Sequence, residues 1–234
     1  MTPDHGALAT AMIALAGTPE HSPDLANRLK TIARLTAERV AAAQYASITA
    51  LQGDDYITVA VSDELIRSVD DAQYADDAGP CLEALARGAP VGVSDIDSTV
   101  QWPGFHQQAA RMGLRASVSV PLFAGRGKAV AVLNVYSRDQ AATGPLIAAI
   151  AAVHGEPARE ATDELSGLDD GGRELVLGYA EALSVRATVR LAIELIRARK
   201  HSDSDDAYLD LCIRAAEAGT DLAEAAAVVI SHGI

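Results

Sequence analysis

The sequence predicts an α+β domain, a mainly antiparallel sheet of five or six strands flanked by helices, followed by an all-α bundle with a long helix. Three observations predict it. Strand-like residues 45–51 and 56–61 flank Gly53-Asp54-Asp55, a hairpin turn signal. A second pair, 116–123 and 129–136, flanks the tight-turn stretch 125–128. After Ser-Gly-Leu-Asp-Asp-Gly-Gly at 166–172, a linker by composition, no strand signal remains. The chain therefore divides into a domain at 1–164, a linker at 165–172 and a helical module at 173–234.

The elements follow in order. An apolar helix is expected at 7–15. A longer one is expected at 24–43, where Leu25, Leu29, Ile32, Leu35 and Val40 recur near helical spacing. The first strand pair comes next, and 62–77 reads as polar loop or short helix. Gly79 takes a turn into a helix at 80–87; Pro80 suits its first position, and Leu82 and Leu85 form its inward face. A short strand at 91–93 and a loop at 95–101 lead to a helix opened by Pro103 and stopped by Gly113. Residues 116–123 alternate Ser with Val or Leu, as a half-buried strand does, and 129–136 is a continuous apolar strand suited to the sheet centre. A helix at 143–153 closes the domain and runs on towards Glu164.

The module reads as helices at 173–200, 204–218 and 221–231, with Ser202 or Ser204 capping the second and Gly219 ending it. The long helix has two apolar faces. Val176, Ala180, Leu183, Ala187 and Leu191 fall within about 80° at about 100° per residue, and Val189, Ile193 and Ile196 lie opposite. Two faces are expected to serve a bundle on one side and a partner helix on the other, which makes a homodimer; the alternative is one intramolecular bundle using both.

With 49% hydrophobic residues the chain can bury a core, and 4% aromatics with abundant Ala favours closely packed helices. A net charge of −13 argues against a general nucleic-acid or acidic-membrane binder, while leaving room for a local basic face. Cys81 and Cys212 are far apart, with no disulfide or zinc spacing, and the expected location is the reducing cytoplasm. The six His residues form no His-x-x-x-His pair, so no metal is expected, nor any other cofactor. No apolar run approaches a membrane span. The apolar stretch 7–17 has no preceding Lys or Arg and reads as the first helix rather than a signal peptide. Gly-x-Ser-x-Gly, a phosphate loop and His-Glu-x-x-His are all missing. The pairs Asp54-Asp55, Asp76-Asp77 and Asp169-Asp170 read as solvated turn residues, so no enzyme is expected.

The run Gln73-Tyr74, then Gly79-Pro80-Cys81-Leu82, Trp102-Pro103-Gly104-Phe105, Ser119-Val120-Pro121-Leu122 and Leu133-Asn134-Val135-Tyr136-Ser137 resembles, in order and spacing, the GAF domains that actinobacteria join to RNA-binding ANTAR modules. The resemblance covers roughly residues 7–160. The tail resembles an ANTAR module through Arg186-Ala187, Ala192, Ala207-Tyr208 and Arg214-Ala215. It departs where the family commonly has Gln-Ala-Lys-Gly, here Leu191-Ala192-Ile193-Glu194, and Ala216, Gly219 and Thr220 stand where polar family residues are usual. The resemblance implies a GAF sensor for a small molecule or signalling protein, controlling a module that binds a structured RNA hairpin and opposes transcription termination. The alternative is a GAF ligand-binding protein whose divergent tail serves only dimerisation or protein docking.

The ligand candidates are Tyr74, Cys81, Trp102 and Phe105. Cys81 sits where a helix N-terminus lowers a thiol pKa; the alternative is a small buried hydrophobe. Trp102 and Phe105 lie where the family's ligand face is implied to be, and equally suit core plugs. The RNA candidates are Arg186, Arg190 and Arg197, within about 40° on one helical face. The alternative is a solvated face pairing with Glu181 and Glu194. The module carries seven Lys and Arg against ten Asp and Glu, so phosphate neutralisation would be local.

Overall fold

The computed structural model describes residues 6–53, 55–155 and 165–232. Helices α1 (Ala7–Ala16) and α2 (Leu25–Arg39) precede strands β1 (Tyr45–Gln52) and β2 (Asp55–Val61). A 3-10 turn, Glu64–Ile66, opens into α3 (Arg67–Ala75), followed by α4 (Pro80–Arg87), β3 (Val91–Val93) and α5 (Pro103–Arg111). Then come β4 (Ala116–Ala124), β5 (Lys128–Ser137), α6 (Gln140–Gly155), α7 (Asp170–Lys200), α8 (Ser204–Ala218) and α9 (Leu222–His232). Asp54 of the expected hairpin turn, and the expected continuation of α6 towards Glu164, lie outside the described residues.

The five strands run in the order β2-β1-β5-β4-β3, every pairing antiparallel, so the apolar β5 is central as expected. Register decides what each face carries. Ile48 pairs Leu133, Val120 pairs Leu133 and Val118 pairs Val135, and this face packs on Leu8, Ile32, Ile150 and Tyr179 from α1, α2, α6 and α7. The other face carries Ser47 opposite Asn134, Asn134 opposite Ser119, and Ser117 opposite Tyr136. Helices α3 to α5 cover it, so all nine residues of β4 are buried. The half-buried strand expected from Ser/Val alternation is therefore buried on both faces: its serines face a polar interior, not water.

Helix α7 begins earlier than the sequence suggested. The Asp169 carboxylate accepts Gly172 N–H at 3.2 Å and Ala41 N–H at 3.0 Å, so 170–172 form the first helical turn. A Cβ on Gly171 would sit 1.9 Å from the Arg39 carbonyl oxygen, and one on Gly178 would sit 2.6 Å from the Ala9 Cα. Glycine at both positions is what lets α7 lie this close to the ends of α2 and α1. The two apolar faces of α7 both find partners within the chain. Leu175, Val176, Tyr179 and Leu183 join the sheet core, whereas Val189, Ala192, Ile193 and Ile196 form a second core with α8 and α9. Leu191 remains exposed. The cap of α8 is Asp203 rather than Ser202 or Ser204, because its carboxylate reaches both Asp205 N–H (2.9 Å) and Asp206 N–H (2.8 Å). Gly219 ends α8 with φ 67°.

Candidate functional site

Helix α3 builds the site. Its inward face carries Val69, Asp70 and Gln73, all with no exposed surface, onto the polar side of the sheet. The Asp70 carboxylate accepts the Tyr136 hydroxyl at 2.6 Å, Ser47 Oγ at 3.0 Å and Thr58 Oγ1 at 2.9 Å. Gln73 Nε2 donates to the Tyr136 hydroxyl at 3.3 Å, and its Oε1 accepts Cys81 N–H at 3.0 Å. Tyr74 Oη bridges Thr49 Oγ1 and Thr58 Oγ1, both at 2.8 Å. From the strands, Asn134 accepts Ser119 Oγ–H at 2.9 Å and donates to Ser47 Oγ and Thr49 Oγ1. Ser117 Oγ, buried on the same face, has no partner among the described residues.

Burial sets the electrostatics. Loss of water raises the Asp70 carboxyl to about 6, against the three hydroxyl bonds that favour the charged form. The Tyr136 and Tyr74 phenols are pushed up by burial and then by the Asp70 charge. Cys81 meets the same two effects in the same order, and its thiol pKa rises. At this helix start desolvation outweighs the dipole, so the thiol is a packed, protonated group and not an activated one.

The sequence-selected residues separate. Tyr74 touches the polar cluster and stacks on Tyr56 with centroids 6.1 Å apart. Cys81 lies at its edge. Phe105 is fully buried, edge-to-face with Trp102 at 6.3 Å, and packs among Ile66, Val69, Ile96 and Leu114 as a core plug. Trp102, 9% exposed, lines two surface clefts. One, of about 380 Å³, lies between Tyr56, Gly79, Leu82 and Glu83; the other, of about 330 Å³, runs along 92–101. Of this cluster only Tyr74 is among the sequence's ligand candidates; Gln73 and Tyr136 stand in the motifs that carry the resemblance, and Asp70, Ser47 and Thr58 stand in none. Asn134, a lone amide in an apolar strand, was the available signal.

The arginine stripe is also divided. Arg186 lies over the Phe123 ring at 4.1 Å and donates from Nε to the Gly127 carbonyl at 2.7 Å. Burial, then neighbouring Arg190, lowers its pKa from the usual arginine range. The stem of Arg190 rests beside Gly127, and its residue is exposed. Arg197 is exposed and pairs with Glu194 at 3.0 Å. The β4–β5 turn thus docks into the helical module. Arg126 strengthens the contact by pairing with Glu20 and Asp205 while lying over the Tyr208 ring. The Tyr208 hydroxyl accepts Glu20 N–H at 3.1 Å.

Among the described residues, no group of three or more His, Cys, Asp or Glu could hold a metal ion, and no helix is long and apolar enough to cross a membrane. A five-stranded antiparallel sheet, one face on long helices and the other closed by short helices over a polar cluster, defines an α+β domain. Residues 23–153 match the GAF domain model, more than half of the chain, and the protein belongs to the GAF domain family. The match stops before α7. Similar solved structures include a protein from Burkholderia vietnamiensis described as a GAF sensor, at 17% identity and TM-score 0.43, covering 76% of this chain and 92% of that one. Another is the GAF domain region of a Geobacter sulfurreducens protein described as a membrane protein, at 14% identity and TM-score 0.40, covering 69% and 94%. A third is free methionine-R-sulfoxide reductase from Neisseria meningitidis, at 16% identity and TM-score 0.39, covering 77% and 90%. No protein of curated function matches the chain.

Proposed function

We propose that this protein is a signal-responsive regulator whose GAF domain binds a small molecule and whose C-terminal helices are the output. One observation carries the reading. Helix α7 runs unbroken from the sheet core into the core formed with α8 and α9, so both units share one continuous helix. A ligand that favours one packing of the sensor shifts α7 only through differential contacts, and α7 supplies them.

The output is RNA-hairpin binding, opposing transcription termination, through Arg190 and Arg197, with Arg186 held by the sensor. Electrophoretic binding to a panel of two-stem-loop RNAs tests it. Binding should weaken steeply with salt, and losing either exposed arginine should lower the salt slope by about one unit. Full binding by the Arg190→Glu/Arg197→Glu variant, or none by wild type at low salt, would reject this output.

A second reading, a tail that only dimerises or docks on protein, is favoured by the exposure of Leu191 (50%), Leu209 (57%) and Ile213 (47%). Under it, sedimentation should show a dimer at roughly tens of micromolar that Leu191→Glu/Leu209→Glu converts to monomer. Catalysis is not part of either reading. Thiol chemistry needs a reachable thiolate, and burial raises the pKa of both Cys81 and Cys212.

A further inference from the structure

We infer that the polar face beneath α3 receives a small organic cation of the alkylammonium type, its N–H groups set against the Asp70 carboxylate. The inference rests on the reading that this sheet face is the ligand site, and it names the chemical class.

Asp70 is the centre of the argument. It is completely buried, and its hydrogen-bond partners among the described residues are three neutral hydroxyls. Buried carboxylates are normally paired with a cation. Arg67, one turn earlier on α3, is turned away: its Nε donates to Glu64 at 2.6 Å and its Nη1 to the Thr58 carbonyl at 2.9 Å. Arg67 feels the Asp70 charge only as the least of its influences, behind Glu64, and makes no hydrogen bond to it, so the face holds an acid with no cation in direct contact among the described residues.

The surrounding groups suit an N–H donor. Hydroxyl oxygens of Ser47, Thr58 and Tyr136 ring the carboxylate; each already accepts one bond, from Asn134, Tyr74 and Gln73, and Ser47 and Thr58 each keep one lone pair. Ser117 Oγ, 1% exposed and next to Tyr136 across the β4–β5 ladder, has an unmet hydrogen bond among the described residues. An anionic ligand would meet the Asp70 charge with no cation beside it.

The approach is of the same character. The cleft bordered by Tyr56 and Trp102 carries Asp77 and Glu83, and no Lys or Arg is among its lining residues, although Glu83 also pairs with Arg87. Aromatic faces and an acidic rim attract cations. Tyr74, stacked on Tyr56 and bonded to Thr58, stands between cleft and cluster. Entry from the cleft requires the Tyr74 ring to swing off Thr49 and Thr58.

The test is thermal unfolding of the full chain at pH 7.5 with n-butylammonium chloride, n-butanol or sodium butyrate, each up to about 10 mM, enough to reveal millimolar affinity. The fluorescence of Trp102, the sole tryptophan, is followed in parallel. Butylammonium should raise the midpoint and change the emission, while its neutral and anionic counterparts do neither. Asp70→Asn should remove the effect. No rise with butylammonium, or an equal rise in Asp70→Asn, overturns the inference. The two levels of failure are distinguishable. If butanol or butyrate raises the midpoint instead, the face is a ligand site and the class is wrong; if none of the three changes either signal, the sheet-face reading falls with it.

Discussion

Asp70 is the residue on which the interior turns, and its pH behaviour has a definite sign. Its folded pKa of about 6 lies above the ordinary value of 3.8. Stability from this group is therefore fully present below pH 4 and is lost as pH rises through about 6. Two pKa units correspond to about 3 kcal/mol. Urea unfolding at pH 4 and 7.5 should show Asp70→Asn gaining on wild type by about that amount at the higher pH; parallel pH profiles would contradict the assignment. Cys81 makes a second prediction at this scale. Buried and protonated, it should resist a thiol-specific disulfide reagent in the native state and react on unfolding. The sequence placed Cys81 correctly at a helix start but left both thiol readings open, because the choice depends on depth. Asp70 does not stand out in the sequence, for a related reason. In a stretch that also holds Asp63, Glu64 and Asp71, one more carboxylate looks solvated, and only the packing of α3 shows which acid points inward.

At the scale of elements, local chemistry was legible where a residue acts on its own backbone. Pro80 and Pro103 stand in the first turns of α4 and α5, and Gly219 closes α8. What pattern could not supply was the identity of the medium. The serines of β4 alternate as though facing water, yet Ser117 and Ser119 are buried. The length of α7 was legible, but not that its two faces serve two cores in one chain. Gly171 offers a test of that packing. A Cβ there meets backbone, which cannot swing aside as a side chain does, so Gly171→Ala should destabilise by about 3 kcal/mol, the upper range of overpacking. Chemical denaturation measures it, and a neutral result would mean that α2 and α7 are not this close.

For the whole molecule, the composition break at 166–172 is not matched by a break in packing. Leu168, Leu175, Val176 and Tyr179 lie in the same core as Leu8, Met12 and Ile32. A chain ending at 164 would uncover that surface. It should bind a hydrophobic dye and lose near-ultraviolet dichroism, whereas the full chain should unfold in one transition. A truncated form with a sharp, native-like transition would show that the sheet unit needs no help from α7.

The waist of α7 carries one more consequence. Leu183 belongs to the first core and Val189 to the second. Between them Ser184 and Ala187 are exposed, Thr188 Oγ1 donates to the Ser184 carbonyl at 3.0 Å, and Arg186 ties the segment to Phe123 and Gly127. Such back-bonding bends helices slightly. Amide hydrogen exchange should therefore divide α7 into two slow blocks with faster exchange at 184–188. Arg186→Ala should quicken exchange there and leave Leu175 to Tyr179 slow. The waist would then serve as a built-in reporter, its deuterium uptake registering whether the β4–β5 turn holds the helical module or has let it go.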